Sequence, residues 1–252
     1  MLNRSLSVEV LFWTAWAVAA GWLAGLAIWA REEYYLPGDR AVTFGVQDLY
    51  TRGWADPVFE NANRAGEEWL LAVVLGVMGL ILLARRHAME VTLVVAAGLS
   101  LLLAIVVGDY AQRPDFEYLD MRESFLGLFH PRIYPDPDGF PSGHVYGEVV
   151  VYGLLFMLVP RIIPWKWLVV TVRAVTAAVI VVGFVAPMYL GTHWFSDCIG
   201  AALLGMLVVA LIWRVDVFSR RDRVLIRVED IIGRRAAVRS TVAEARRPLR
   251  TR

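Results

Sequence analysis

Six stretches of the chain carry apolar residues with almost no charge, and polar segments separate them. Each approaches or exceeds the roughly 17 residues that a helix needs to cross the hydrocarbon layer of a membrane. Because lipid offers the backbone no hydrogen-bond partners, each stretch is predicted to be helical. The predicted spans are 10–30, 69–84, 91–108, a helix that begins near Ser142 and includes 149–160, 167–190, and 198–213. The pattern predicts an all-α membrane protein with six transmembrane helices.

Composition narrows the class of protein further. Of the 252 residues, 58% are hydrophobic and only 19% are charged, whereas a soluble domain has about 25% charged residues. This excludes a soluble two-domain enzyme and a disordered chain. The single cysteine, Cys198, excludes an internal disulfide framework. The net charge of +1 gives no overall field for nucleic acid, so we expect none as a partner.

The loop charges predict how the chain is oriented. The loop 31–68 holds four Arg and eight acidic residues, and the loop 109–141 holds three Arg and seven acidic residues. The segments on the other side are basic, and their cations are Arg4, Arg85, Arg86, Arg161 and Lys166. By the positive-inside rule, a plasma (inner) membrane protein with both termini in the cytoplasm and both acidic loops outside is expected.

Two segments stand apart from the predicted bundle. Residues 215–252 hold eleven Arg and five acidic residues, and they are predicted to form a cytoplasmic tail behind a membrane domain of residues 1–214. The loop 31–68 has a moderately apolar middle. It is either a short helix at the membrane interface or an ordinary extracellular loop, and the sequence leaves both open.

Three short motifs combine residue types that recur in catalytic sites. They are Arg113-Pro114, five residues past the third span, Pro141-Ser142-Gly143-His144 at the start of the fourth, and residues 191–197 between the fifth and sixth. The predicted topology places all three on the outer side. Each motif alone is compatible with a structural role, but together on one membrane face they predict a functional site.

The first two motifs fit the chemistry of phosphate. Arg113 offers a fork of N–H donors suited to phosphate oxygens. Ser142 and Gly143 would expose backbone N–H groups at a helix N-terminus, which binds anions. His144 could protonate a leaving group. A structural alternative makes Ser142 only the residue that caps the helix.

The third motif pairs a histidine with an acid. His193 and Asp197 are four residues apart, so a helix there would place them on one face. Asp197 could then hold the imidazole in one tautomer and leave the other nitrogen free to attack. Glu148, one helical turn after His144, could hydrogen-bond it or could be a polar residue near the mouth of the site. Acids inside spans tend to be functional, so Glu148 joins the candidates.

This set of motifs resembles the membrane branch of the type-2 phosphatidic acid phosphatase superfamily, which also includes glucose-6-phosphatase and the vanadium haloperoxidases. The family motifs read Lys-x6-Arg-Pro, Pro-Ser-Gly-His and Ser-Arg-x5-His-x3-Asp. The second motif is complete here, and the end of the third occurs in its usual context, residues 189–194. The resemblance implies no metal ion and no cofactor. It implies His193 as nucleophile, Asp197 as its orienter, His144 as general acid, and Arg113, Ser142 and Gly143 as phosphate ligands.

The first and third motifs are incomplete. The family's Lys, seven residues before the motif arginine, is Val106 here, and the family's Ser-Arg pair is Ala186-Pro187. Two of the three cationic phosphate ligands are therefore absent. Arg132 and Arg122 lie in the loop before the second motif and could replace them, unless they are only solvated loop charges. Arg132 is the better candidate because it lies closer to that motif.

The resemblance implies a membrane lipid phosphatase with its active site at the extracytoplasmic surface of the bilayer. It would hydrolyse a phosphomonoester or diphosphate of a lipid, such as phosphatidate, phosphatidylglycerol phosphate or a polyprenyl phosphate, through a phosphohistidine. Two alternatives stay open. One is a phosphotransferase that moves the phospho-group to a hydroxyl acceptor. The other is a non-catalytic lipid-binding or transport protein, against which the intact His144, His193 and Asp197 argue.

Overall fold

The described part of the chain is entirely helical apart from turns. The computed structural model describes residues 2–33, 35–51, 54–113 and 139–216, and these contain no strand. The elements in chain order are α1 (Leu2–Glu32), α2 (Asp39–Gln47), a 3-10 helix (Asp48–Thr51), α3 (Ala55–Ala65), α4 (Glu68–Ala84), α5 (Ala88–Ser100), α6 (Leu102–Ala111), α7 (Gly143–Ile162), α8 (Lys166–Leu190) and α9 (Phe195–Asp216). The all-α prediction is confirmed.

Each of the six predicted spans coincides with a helix. Within the described residues, five helical segments are long and apolar enough to cross a membrane on their own, namely α1, α5 with α6, α7, α8 and α9. Helix α4 has 17 residues. It reaches a spanning length only together with α3, from which it is bent by 59°. Counted as one bent crossing, this pair is the sixth span.

Helix α7 lies at the centre of the bundle. It packs against α4, α5 and α8, and most of its side chains are buried. Helices α1 and α8 expose most of their apolar surface, including Trp22 and Trp167. A helix that is apolar on all sides and still exposed is suited to contact with lipid. Within the bundle, Trp16 Nε1 donates to the carbonyl of Leu207 at 3.1 Å and ties α1 to α9.

The segment between the first two spans is helical and packs on the C-terminal end of α8. Gln47 Nε2 of α2 donates to the carbonyl of Met188 at 3.3 Å. The ring of Phe59 in α3 stacks on Tyr189 with centroids 4.3 Å apart, and the Tyr189 hydroxyl donates to Asp56 Oδ1. Of the two sequence-based alternatives, the structure therefore has helices there rather than an open loop.

Two helix ends position the motifs. Helix α7 begins at Gly143 with Ser142 as its N-cap residue, as predicted. Helix α8 ends at Leu190, and the φ of 75° at its C-cap residue, Gly191, lies in the left-handed region that glycine adopts without strain. The N–H groups of Gly191 and Thr192 then donate to the carbonyls of Met188 and Pro187, which closes the helix and turns the chain toward the third motif.

The chain divides into a compact unit that ends at Ile212 and a second that begins at Trp213. All candidate site residues lie in the first unit. Residues 217–252 lie outside the described part of the chain, so the Arg-rich cytoplasmic tail and its boundary after residue 214 stay predictions.

Candidate active site

Hydrogen bonds between distant parts of the chain bring the three motifs together. Arg113, just after the end of α6, donates from Nη1 to Asp197 Oδ1 at 2.7 Å. The Ser142 N–H donates to the carbonyl of Asp197 at 3.3 Å. His193 Nδ1 lies 3.0 Å from the carbonyl oxygen of Gly139. The end of α6, the start of α7 and the turn between α8 and α9 therefore meet at one end of the bundle.

The ring of His193 is held in one tautomer. Because the Gly139 carbonyl can only accept, the contact requires a proton on Nδ1 and leaves the lone pair on Nε2. Burial, chiefly, lowers the pKa of His193 to about 4, and the nearby charges of His144 and Arg113 lower it too, while the Gly139 hydrogen bond opposes them. The ring is therefore neutral at pH 7. Its side chain is 13% exposed.

Asp197 contacts the backbone and Arg113 more closely than it contacts His193. Its Oδ2 accepts the N–H of Trp194 at 2.8 Å, and the distance from that oxygen to His193 Nδ1 is 3.9 Å. Helix α9 begins at Phe195, two residues after His193, so the expectation that one helix carries both residues on one face is wrong. In this structure the Gly139 carbonyl orients the ring, and the orienting role of Asp197 stays a prediction.

Arg113 is the centre of a buried network of charged groups. Its Nη1 also donates to Ser196 Oγ at 2.6 Å, and its Nη2 donates to Asp39 Oδ2 at 2.8 Å. The side chains of Arg113 and Asp39 have no solvent exposure, and that of Asp197 is 2% exposed. The guanidinium that was expected to bind phosphate is thus shared between two carboxylates. Its role as a phosphate ligand stays a prediction.

The start of α7 has the form of an anion cradle. The N–H groups of the first helical turn have no partner within the helix, and those of Gly143 and His144 belong to it. The Ser142 side chain does not cap the helix, and its buried Oγ has no hydrogen-bond partner among the described residues. A Cβ at Gly143 would meet nothing within 4 Å. This end of the helix therefore offers open space, unused donors and the imidazole of His144.

Glu148 is buried deeper in the same helix. It is 1% exposed, and neither of its carboxylate oxygens has a hydrogen-bond partner in the described residues. It packs so closely on α8 that a Cβ at Gly183 would lie 1.6 Å from Glu148 Oε2. The proposed hydrogen bond to His144 is not made in this structure.

The comparisons with known proteins agree on the family. The sequence model of the PAP2 superfamily matches residues 88–221, more than half of the chain. The chain belongs to the PAP2 superfamily. The resemblance drawn from the motifs is thereby confirmed, together with the phosphatase class that it implied.

Two relatives extend the likeness beyond the family segment. Phosphatidylglycerophosphatase B of Bacillus subtilis (strain 168) is 25% identical over 180 residues, which are 69% of this chain and 82% of that protein. A crystal structure of a transmembrane PAP2-type phosphatidylglycerolphosphate phosphatase from Bacillus subtilis matches with a TM-score of 0.62. That match covers 80% of this chain and 95% of the other at 19% identity. The second likeness shows a shared membrane fold.

Apolar residues stand at the two positions where the PAP2 motifs carry Lys and a second Arg. Val106 lies on α6 with 62% of its surface exposed, and Pro187, which stands at the position of the family's Arg, is buried near the end of α8. Arg122 and Arg132, the predicted substitutes, lie in residues 114–138, outside the described part of the chain. Their roles stay predictions. No group of three or more His, Cys, Asp or Glu residues that could hold a metal ion occurs in the described residues.

The sequence analysis missed two members of the network around Arg113. Asp39 is one of eight acids in the loop 31–68 and lies outside the segment matched by the family model. Ser196 lies inside the third motif at a position that the family pattern leaves open. A single sequence carries no signal that separates Asp39 from the other loop acids, because its partners are 74 and 157 residues away.

Proposed function

We propose that this PAP2 protein is a membrane lipid phosphatase that works through a phosphohistidine at His193. The observation that carries the proposal is the state of that ring, since a neutral imidazole with Nδ1–H held by Gly139 presents the Nε2 lone pair. The anion cradle at the start of α7 lies at the same end of the bundle. Its donors would bind the phosphoryl oxygens while Nε2 attacks phosphorus.

The reaction proceeds in two displacements. His193 Nε2 forms a bond to phosphorus as the phosphorus–oxygen bond to the lipid breaks, and His144 gives its proton to the leaving oxygen. A water molecule then attacks the phosphohistidine, His144 takes a proton from that water, and the phosphorus–nitrogen bond breaks. The products are the dephosphorylated lipid, inorganic phosphate and the enzyme in its starting state.

The relatives and the membrane setting support the proposed substrate class. The relative from Bacillus subtilis is named as a phosphatidylglycerophosphatase, which favours phosphatidylglycerol phosphate among the lipid monoesters. Phosphatidate and polyprenyl phosphates are monoesters of the same kind, and in a polyprenyl diphosphate the terminal phosphoryl group would be transferred with the lipid monophosphate as leaving group. We place the site at the extracytoplasmic surface of the plasma membrane on the strength of the acidic loop charges.

The test is release of inorganic phosphate from a lipid panel by purified protein in proteoliposomes. The panel holds phosphatidylglycerol phosphate, phosphatidate, a polyprenyl phosphate and a polyprenyl diphosphate, each with and without a soluble hydroxyl acceptor. We expect release without acceptor, loss of turnover in His193→Ala, and a ³²P label on the protein after alkaline quenching of the parent. The matched control is His87→Ala, which removes a histidine from the turn between α4 and α5 and should keep the parent rate.

Each other result has a defined meaning. Phosphate transfer that requires the acceptor would make the protein a phosphotransferase. Substantial turnover in His193→Ala would remove the covalent mechanism. Absence of both release and transfer with every lipid would contradict the proposal and favour a binding or transport role.

A further inference from the structure

The side chain of Asp39 accepts four hydrogen bonds at the site, although it lies outside the segment matched by the family model. It is the first residue of α2 and is fully buried. Its Oδ1 accepts the N–H of Ser196 at 2.8 Å. Its Oδ2 accepts the N–H of Leu36, Nη2 of Arg113 and the hydroxyl of Ser196, each at 2.8 Å. Three of these four hydrogen bonds join α2 to the end of α6 and to the start of α9.

These bonds act on the turn that carries the nucleophile. Ser196 donates to Asp39 and accepts from Arg113, and Arg113 also binds Asp197. Asp197 in turn accepts the N–H of Trp194, the residue after His193. The backbone from Trp194 to Asp197 is therefore held from one side by Asp39 and from the other by Arg113. Movement of this turn would move the imidazole next to it.

The charge of Asp39 matters as well as its shape. Two buried carboxylates, Asp39 and Asp197, share the guanidinium of Arg113. The positive charge of Arg113 repels a proton on His193 and so helps to lower the pKa of that ring. Removing the charge of Asp39 would leave the site one unit more positive. Such a change cannot weaken the attraction of an anionic substrate, but it would release Arg113 and Ser196 from their present geometry.

We propose that Asp39 is a positioning residue of the phosphatase reaction that acts through Arg113 and Ser196 to fix the turn bearing His193. The proposal rests on the proposed function and deepens it, since it assigns part of the machinery to the loop between the first two spans. Asp39 does not touch the reacting atoms. It determines where Nε2 of His193 lies relative to the bound phosphate.

The experiment compares two variants of the same helix in the full-length protein. Asp39→Asn keeps the shape of the side chain and removes its charge. The matched control, Thr43→Val, removes the Thr43 hydroxyl that accepts the N–H of Phe195 at 3.2 Å, and Thr43 is equally buried. Both variants loosen α2 from the start of α9, but only the first changes the network around Arg113. Steady-state phosphate release from the best lipid of the panel gives kcat and KM for each.

We expect kcat of Asp39→Asn to fall roughly ten- to a hundredfold, the effect of losing one charge-assisted hydrogen-bond set, while KM stays level or falls. Thr43→Val should keep kcat within about threefold of the parent, since it loses one neutral hydrogen bond. Asp39→Glu, which restores the charge, should recover part of the lost kcat. A purely structural role would instead lower the amount of folded protein and leave kcat per folded molecule unchanged.

The remaining outcomes overturn the proposal. These are parent-like kcat in Asp39→Asn, equal losses in both variants, or a raised KM at unchanged kcat. If Asp39→Asn does not give folded protein, Ser196→Ala decides, because it cuts the same link and leaves both charges in place. A several-fold loss of kcat there would support the proposal, and a rate like that of Thr43→Val would overturn it. If the parent protein releases no phosphate from any lipid, the proposed function is wrong and this inference fails with it.

Discussion

At the scale of single residues, the chemistry depends on which nitrogen of His193 carries the proton. The Gly139 carbonyl selects the Nδ1–H tautomer, and burial keeps the ring neutral. The hydrogen bond places the lone pair of the neutral ring on Nε2, and burial keeps the ring neutral although that bond raises its pKa. A histidine with an ordinary pKa near 6.5 would lose that lone pair in mildly acidic solution.

We expect the His193 ring to remain neutral down to about pH 4, because a lowered pKa means that protonation needs a more acidic solution. The measurement is a ¹⁵N NMR titration of detergent-solubilised protein labelled only at histidine. The chain has four histidines, so loss of a signal pair in His193→Gln assigns the ring. The ¹⁵N shifts should identify the Nδ1–H tautomer at pH 7.

The same spectra allow the signals of a second histidine to be told apart from those of His193. The signals of His87, assigned with His87→Gln, come from a partly exposed ring in the turn between α4 and α5. A His193 signal that titrates near pH 6.5, or one with the proton on Nε2 at neutral pH, would contradict the assignment. Recovery of the pH 7 spectrum after the acidic points shows that the protein stayed folded.

The motifs predicted which residues come together but not how they pair. His144, His193, Ser142 and Arg113 lie at one end of the bundle, as their spacing between spans indicated. The network of Arg113 could not be predicted, because a guanidinium can donate to any nearby oxygen and the sequence does not show that Asp39 folds back onto it. The partner of His193 is a backbone carbonyl, which leaves no trace in the sequence.

At the scale of helices, the side chain of Glu148 on α7 packs directly against Gly183 on α8. The carboxylate of Glu148 occupies the space where a side chain at position 183 would begin, so glycine is required there by contact rather than by backbone conformation. The apolar runs predicted both helices well. They could not predict this contact, because it depends on the rotation of each helix about its axis.

We expect Gly183→Ala to lower the apparent unfolding temperature, because the added Cβ would lie 1.6 Å from Glu148 Oε2. Overpacking of this kind costs about 1–3 kcal/mol. Adding Glu148→Ala to the Gly183→Ala variant should recover part of the lost unfolding temperature, because it removes the carboxylate with which the new Cβ clashes. Cys198 is the only cysteine and is buried, so a thiol-reactive fluorogenic dye reports unfolding on heating.

The control for this pair is Gly76→Ala on α4, where a Cβ would meet nothing within 4 Å. It should leave the unfolding temperature unchanged or raise it slightly, because alanine favours a helix over glycine. If Gly183→Ala unfolds at the same temperature as Gly76→Ala, the close contact between α7 and α8 is wrong. If Glu148→Ala gives no recovery, the clash lies elsewhere.

Helix boundaries show where periodic patterns stop being informative. Helix α7 was predicted to begin near Ser142, and it begins at Gly143. The predicted helix through His193 failed because Gly191 ends α8 in a left-handed turn and a new helix begins only at Phe195. For the segment that forms α2 and α3, the sequence left both a helix and a loop open, because short segments of mixed polarity fit either equally well.

At the scale of the whole molecule, the orientation in the membrane rests on charge alone. The acidic loops include α2 and α3, which join the site end of the bundle, and the basic turns lie at the other ends of the spans. The helices fix which residues share an end, but a helical bundle has no preferred side. The positive-inside rule supplies the side, and it predicts that the end with His193 faces outward.

We expect a cysteine at Trp54 to react with an impermeant thiol reagent in intact cells, and a cysteine at Trp165 to react only after lysis. The two tryptophans form a matched pair, because they lie in turns at opposite ends of the bundle and are 67% and 60% exposed. The buried Cys198 keeps the background low in both variants, and the unsubstituted parent measures it. If only the Trp165→Cys variant is labelled in intact cells, the true topology is the reverse of the predicted one. In that case lipid phosphates would reach His193 from the cytoplasm, and the extracytoplasmic site proposed here would be wrong.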